Sequence, residues 1–77
     1  MKRSGNTTRL IDRNIQQLFN TGFTYLYEGR NADSWPQTVQ VLHKFTNRMR
    51  SEHDHVKIDA EEMTVDGIRC YKIWIVK

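Results

Sequence analysis

The sequence has few features of secreted, membrane-spanning or low-complexity proteins. Its 77 residues include one cysteine, Cys70, and one proline, Pro36. A lone cysteine cannot form an internal disulfide, so we expect the chain to fold in a reducing compartment. No apolar run approaches the roughly 20 residues that a membrane-spanning helix needs, and no apolar signal segment follows the basic start. We therefore expect a cytoplasmic location and no contact with a membrane.

The excess of positive over negative charge is also small. The net charge is +3 and the isoelectric point about 9.3, a small excess that permits an anionic partner without requiring one. The hydrophobic fraction of 38% is enough for a core, which excludes global disorder. A chain of this length predicts one domain, residues 1–77, in which residues 1–5 form a flexible basic leader.

The clearest structural signal is a β-hairpin predicted over residues 56–77. Asp66 and Gly67 lie between Val65 and Ile68. A two-residue type I′ turn needs positive φ at both central positions, and these two residue types tolerate it best. The second arm is also the most apolar run of the chain, so we expect the upstream elements to pack on this hairpin.

Pairing across the turn predicts the register of the hairpin. Met63 is expected opposite Cys70, and Asp59 opposite Trp74. The apolar residues change from one side of the hairpin to the other midway along it. We therefore expect strong twist or a bulge near residues 61–63, with Trp74 on the less buried face.

Two amphipathic helices and a short strand are predicted upstream of the hairpin. Apolar residues at helical spacing indicate a first helix over residues 8–20, which Gly22 ends. Residues 23–27 alternate as in a strand. A second helix over residues 35–51 follows Ser34, a good N-cap. Its expected apolar stripe comprises Trp35, Val39, Leu42, Phe45 and Met49.

The predicted order α-β-α-β-β defines an α+β fold. The strand over residues 68–77 is the most apolar, so we place it in the middle of a three-stranded sheet, antiparallel to both neighbours. This gives the strand order 1-3-2, with both helices packed on one face of the sheet. A winged-helix arrangement, with the hairpin as its wing, is the alternative.

Two short motifs suggest chemistry, and each has a simpler structural explanation. The run Gly-Asn-Thr-Thr at residues 5–8 resembles the end of a phosphate-binding loop, but Asn6 replaces the lysine and no strand precedes it. We interpret it as a capped helix start. His53 and His55 offer two nitrogen ligands without a third at zinc-site spacing. We therefore predict no metal, no cofactor and no enzymatic activity.

A binding surface is the function that the residues favour most. Trp74, or Tyr25 with Tyr27, would provide flat aromatic faces between cations. Aromatic stacking and phosphate neutralisation together hold single-stranded nucleic acids, so we predict a module that binds DNA or RNA. The predicted site comprises Lys44, Arg48 and Arg50 on the second helix, and Arg69, Lys72 and Trp74 on the hairpin.

A protein-binding module is the alternative function. The first strand is predicted at an edge of the sheet, where unpaired N–H and C=O groups can extend the sheet of a partner. This interpretation predicts a homodimer, or a complex with a host protein whose activity the module modulates.

The start of the chain resembles a known group of proteins. Residues 5–12, Gly-Asn-Thr-Thr-Arg-Leu-Ile-Asp, are followed by Ile-Gln-Gln-Leu-Phe at residues 15–19 and then by Gly22. This pattern is similar to the N-terminal signature of small proteins encoded by tailed bacteriophages and prophages. The resemblance implies expression inside an infected bacterial cell and an accessory role, with either nucleic acid or a host enzyme as the partner.

Overall fold

The computed structural model of this protein describes the backbone of residues 4–30 and 32–76 and, within that part, the side chains from Arg9 onward. Two helices and three strands follow one another in the predicted order. The helices are α1, Ser4–Thr21, and α2, Trp35–Glu52, and the strands are β1, Phe23–Tyr27, β2, Ile58–Val65, and β3, Ile68–Ile75.

The three strands form one antiparallel sheet in the order β1-β3-β2. The central strand, β3, pairs with β1 on one side and with β2 on the other, and runs antiparallel to both. The predicted α+β fold, strand order and central position of β3 are confirmed. The winged-helix alternative is wrong, because the hairpin forms the body of the sheet and not a separate wing.

The hairpin turn has the predicted geometry. The φ angle is +54° at Asp66 and +77° at Gly67, as a type I′ turn requires. Over its whole length β2 pairs residue by residue with β3, so there is no bulge near residues 61–63. A bulge is not needed, because apolar side chains are covered on both faces of the hairpin. The helices cover those on one face near the base, and Tyr27 lies beside Cys70 on the other face near the turn.

Alternation along the strands separates the sheet into two faces. Both helices pack on one face, where Leu26 and Ile73 join Leu18 of α1 and Phe45 of α2 in a fully buried core. In the described part of the chain no helix covers the opposite face, which we call the open face. The open face carries Phe23, Tyr25 and Tyr27 from β1, Asp59, Glu61 and Met63 from β2, and Cys70, Lys72 and Trp74 from β3.

The first helix begins earlier than its apolar pattern indicates. It starts at Ser4, so Ser4 and Gly5, predicted within the leader, belong to α1. The rest of the predicted leader, residues 1–3, lies outside the described part of the chain. Hydrophobic periodicity does not reveal this start, because the first turns of α1 contain no apolar residue before Leu10.

The second helix buries a different stripe from the predicted one. Phe45 and Met49 are buried as expected, but Thr38 and Val41 complete the stripe. Ser34 occupies the predicted N-cap position, and its carbonyl oxygen accepts a 2.8 Å hydrogen bond from the Thr38 hydroxyl. This bond lets a polar side chain enter the core. The remaining members of the predicted stripe are only partly buried: Trp35, Val39 and Leu42.

A buried polar network joins α1 to β1. The Asn14 side-chain amide donates to the Thr24 hydroxyl at 2.7 Å and to the Tyr25 backbone carbonyl at 3.0 Å. The Thr24 hydroxyl donates in turn to the Gln17 side-chain carbonyl at 2.7 Å. Asn14 and Thr24 are both buried, so each bond satisfies a polar group that has little access to water. The network fixes β1 against α1.

Replacing Asn14 with alanine is expected to lower the free energy of unfolding by about 1–3 kcal/mol, because the Thr24 hydroxyl and the Tyr25 carbonyl lose their donor. Urea unfolding followed by circular dichroism measures the change. Gln16→Ala, at an exposed position of the same helix, is the control and should change stability by less than about 0.5 kcal/mol. Equal effects of the two substitutions would contradict the role given to the network.

Candidate nucleic-acid interface

A row of aromatic side chains lies on the open face along β1. The Phe23 and Tyr25 rings meet edge to face with their centroids 5.8 Å apart, and Tyr25 stacks on Tyr27 at 5.6 Å. Trp74 lies opposite Phe23 on β3. Phe23 is 39% exposed, and the other three residues are partly exposed. We call these four residues the aromatic row.

The alternation of β1 and β3 places these rings outside the core. Thr24 and Leu26 are fully buried on the helix side, so their neighbours along β1 must point to the open face. Ile73 is fully buried in the same way, which directs Trp74 outward. Because the core buries Thr24 and Leu26 of β1 and Ile73 of β3, the aromatic row lies on the opposite face of the sheet.

Two cations lie beside the ends of the row on β1. Lys72 Nζ is 5.3 Å from the centroid of the Phe23 ring, and Arg30 Cζ is 5.3 Å from the centroid of the Tyr27 ring. Both contacts have the geometry of a cation–π interaction. Arg30 reaches this position because Gly29, with φ +86°, turns the chain after β1. The β1 half of the open face is thus aromatic and positively charged.

The β2 half of the open face is acidic. Asp59 lies opposite Trp74 and Glu61 opposite Lys72. Among the described residues, no Lys or Arg nitrogen lies within 4.0 Å of either carboxylate. A phosphate group is therefore attracted to the β1 half of this face and repelled from the β2 half.

Cys70 lies between Tyr27 and Met63 at the end of the open face nearest the turn, which confirms its predicted pairing with Met63. Cys70 is fully buried, and this burial raises the pKa of its thiol. The thiolate is the reactive form of cysteine, and burial disfavours it. Cys70 therefore fills space as a small apolar side chain. Desolvation, with further contributions from Cys70 and Tyr25, also raises the pKa of Tyr27.

Two of the six predicted site residues, Lys72 and Trp74, lie on the open face. Arg69 lies on the other side of the sheet, where its guanidinium carbon is 4.2 Å from the centroid of the Trp35 ring. Its Nε is also 3.0 Å from a carboxylate oxygen of Glu62. Strand residues three apart point to opposite faces, so Arg69 and Lys72 do not share a surface.

The other three predicted site residues lie on α2. Arg48 forms ion pairs with Asp12 of α1 and with Glu52, whose Oε2 is 3.2 Å from the Arg48 Nε. Lys44 and Arg50 are exposed on the helix. The six residues therefore do not form one surface, since the sheet separates the α2 cations from the aromatic row.

Phe23 and Arg30 are missing from the predicted site. The sequence does contain a signal for Phe23, because it shares the two-residue period of Tyr25 and Tyr27. Arg30 has no such signal. Only the turn at Gly29, in which the Arg30 N–H donates to the Tyr27 carbonyl at 3.3 Å, returns it to the aromatic row.

The two histidines after α2 lie among aromatic neighbours. The His53 and His55 ring centroids are 6.3 Å apart, and His53 meets the Phe19 ring edge to face at 5.0 Å. Within residues 4–30 and 32–76, no three His, Cys, Asp or Glu side chains are placed to hold a metal ion. The geometry around this pair is that of a small aromatic cluster.

The outer edge of β1 is occupied by groups of the same chain. Bonds at Gly22 and Glu28 show that even-numbered residues of this segment pair with β3. The outward carbonyls therefore belong to Phe23, Tyr25 and Tyr27. The Tyr25 carbonyl accepts from the Asn14 amide at 3.0 Å and the Tyr27 carbonyl from the Arg30 N–H at 3.3 Å. The Phe23 carbonyl is 2.8 Å from the Thr21 hydroxyl, whose single proton is shared with the Gln17 carbonyl at 2.8 Å. This edge, predicted as a docking site for a partner strand, offers few free acceptors.

No protein-family model matches the chain, and no curated protein or solved structure is significantly similar to it. The resemblance to bacteriophage proteins therefore stays a prediction. Neither helix, over the residues that the structure describes, is both long and apolar enough to cross a bilayer. The function is accordingly inferred from the open face and the edges of the sheet.

The reactivity of Cys70 tests whether the neighbouring Tyr27 and Met63 keep its thiol buried at the end of the open face nearest the turn. We expect Cys70 to react with a thiol reagent at least ~100-fold more slowly in the native protein than in urea, because labelling requires opening of the structure. Absorbance at neutral pH with a chromogenic disulfide measures both rates. Comparable rates in the two states would show that the contacts of Tyr27 and Met63 with Cys70 do not persist in solution.

Proposed function

We propose that this protein binds single-stranded nucleic acid on the β1 half of its open face. The observation that carries the proposal is the aromatic row, uncovered by any helix in the described part of the chain and flanked by Lys72 and Arg30. Exposed rings next to cations match the two chemical features of a nucleotide, a flat base and a charged phosphate.

The spacing of the rings favours a single strand over a duplex. Successive ring centroids along β1 are 5.8 and 5.6 Å apart, whereas bases in a duplex rise by about 3.4 Å per step. Bases lying on neighbouring rings therefore cannot remain stacked on each other as they are in a helix. Base–aromatic stacking contributes about 1–3 kcal/mol per base and has little sequence preference, which predicts broad specificity.

The charges on the open face orient the strand. Lys72 and Arg30 lie at the two ends of the β1 side of the row, so a strand that follows β1 places phosphates near both cations. Asp59 and Glu61 repel phosphates from the β2 side. In this proposal the protein is a non-enzymatic accessory factor of the bacterial cytoplasm, in keeping with the bacteriophage resemblance.

Binding is tested with the emission of Trp74 in a Trp35→Phe background, titrated with short oligothymidine and oligouridine. We expect saturable quenching by both. Phe23→Ala should weaken binding roughly tenfold or more, because one stacking surface is lost. Phe19→Ala is the matched control, since Phe19 is 43% exposed on α1, away from the open face. An absence of response at low salt, or equal losses from both variants, would sink the proposal.

The cations are tested through the salt dependence of binding. Lys72→Gln should weaken binding and reduce the slope of log K against log salt by about 0.7, the value for one phosphate contact on a single strand. The comparison variant is Arg48→Gln with Arg50→Gln, which removes α2 charges that lie outside the proposed path. If this double variant reduces the slope while Lys72→Gln leaves it unchanged, the α2 surface is the site.

A further inference from the structure

The outer edge of β2 has open backbone groups, in contrast to the edge of β1. The Val76 N–H donates to the Lys57 carbonyl at 2.8 Å, so odd-numbered residues of this segment pair with β3. The even-numbered residues therefore point their N–H and C=O groups away from the sheet. They are Ile58, Ala60, Glu62 and Thr64. The Ala60 N–H bonds to the Asp59 carboxylate at 2.8 Å.

Neither helix lies close to the backbone of β2. In the described part of the chain, no Cα atom of α1 or α2 lies within 8 Å of a Cα atom of β2. α2 approaches β2 through side chains at the start of the strand, where Met49 lines a groove with Ile58. An eight-residue strand with one uncovered edge is a template for an added strand.

The charges within β2 are acidic, and the nearest cation along the segment, Lys57, precedes the strand. Asp59 and Glu61 have no Lys or Arg nitrogen within 4.0 Å among the described residues. Lys72, opposite Glu61, has its amine near the Phe23 ring, on the β1 side. The carboxylates therefore remain available for cations that approach from outside the sheet.

We propose that the β2 edge binds an extended basic segment of another protein as a fourth strand. Alternate Lys or Arg side chains of that segment would lie on the open face beside Asp59 and Glu61, while its backbone completes the ladder. A second copy of this chain does not fit. An antiparallel pairing centred on the middle of β2 sets Glu61 opposite Glu61, or Glu62 opposite Glu62, and like charges directly opposite are unfavourable.

A groove at the start of β2 provides an anchor for the same segment. It has a volume of about 440 Å³, and Met49, Val56 and Ile58 contribute apolar walls. Its charged lining is balanced, with the carboxylates of Asp54 and Asp59 and the cations of Arg50 and Lys57. One apolar side chain of the added strand would enter this groove. The surface therefore combines backbone pairing, the Asp59 and Glu61 carboxylates and one apolar anchor. It favours an extended peptide with Lys or Arg beside those two carboxylates and a hydrophobic residue at one end.

The test uses a capped synthetic octapeptide in which lysine alternates with valine, and amide NMR spectra of the full chain. We expect shifts and slowed hydrogen exchange at Ala60, Glu62 and Thr64, with smaller changes on β1. The same peptide, N-methylated on the edge that pairs with β2, keeps its charge but cannot form the ladder. It should bind at least roughly tenfold more weakly. Equal binding of the two peptides would mean attraction by charge alone and would overturn the proposal.

Charge variants test the same surface independently of nucleic-acid binding. Asp59→Asn with Glu61→Gln should weaken the lysine–valine peptide roughly tenfold. Glu28→Gln with Asp66→Asn changes the net charge equally, away from the β2 edge, and should leave affinity unchanged. Equal losses from both double variants would contradict the assignment, as would dimerisation through β2 in sedimentation experiments without peptide. Oligothymidine binding, measured in parallel, should survive in both variants, so failure here leaves the proposed function standing.

Discussion

The two-residue alternation of β3, hydrogen-bonded on both sides, is the constraint on which the rest of the structure depends. It directs Ile73 into the core and Trp74 to the open face, and through the paired register it assigns every residue of β1 and β2 to a face. A slip of one residue would exchange the two faces and bring Lys72 under the helices. The fully buried positions of Leu26 and Ile73 prevent that slip, so the aromatic row and the core are fixed by the same pairing.

The two edges of the sheet have opposite properties because the helices cover only one side of it. α1 lies beside β1, and Asn14 and Thr21 supply donors to the outward carbonyls of that strand. No helix Cα atom lies within 8 Å of a Cα atom of β2 in the described part of the chain, and the outward Ala60 N–H is bonded by the Asp59 carboxylate of the strand itself. The acidic side chains on β2 disfavour pairing between copies, a common protection of edge strands. The β1 edge therefore borders the positively charged half of the open face, and the β2 edge borders the acidic half.

The aromatic row leaves apolar surface partly exposed in a small chain. A domain of this size buries only a limited core. Phe23 is 39% exposed and Trp74 is partly exposed, so both rings contribute less to core stability than fully buried rings would. Contiguous exposed apolar surface marks sites of interaction in soluble domains. The rings also contact one another and two cations, which fixes their arrangement before any ligand arrives. In the proposed function, this pre-organisation would lower the ordering cost of binding.

The sequence alone determined the hairpin, its Asp66–Gly67 turn and the outward position of Trp74, because alternation and turn chemistry are local properties. It also determined the strand order, because the most apolar strand occupies the centre of the sheet. Only the tertiary structure decided which cations meet the aromatic rings and which edge is free. Arg48 forms an ion pair with Asp12, and Arg69 contacts Glu62 and the Trp35 ring. Arg30 contacts the aromatic row because the chain turns at Gly29. Local periodicity assigns a side chain to a face, but its neighbours across the sheet and on the helices come from residues distant in the chain.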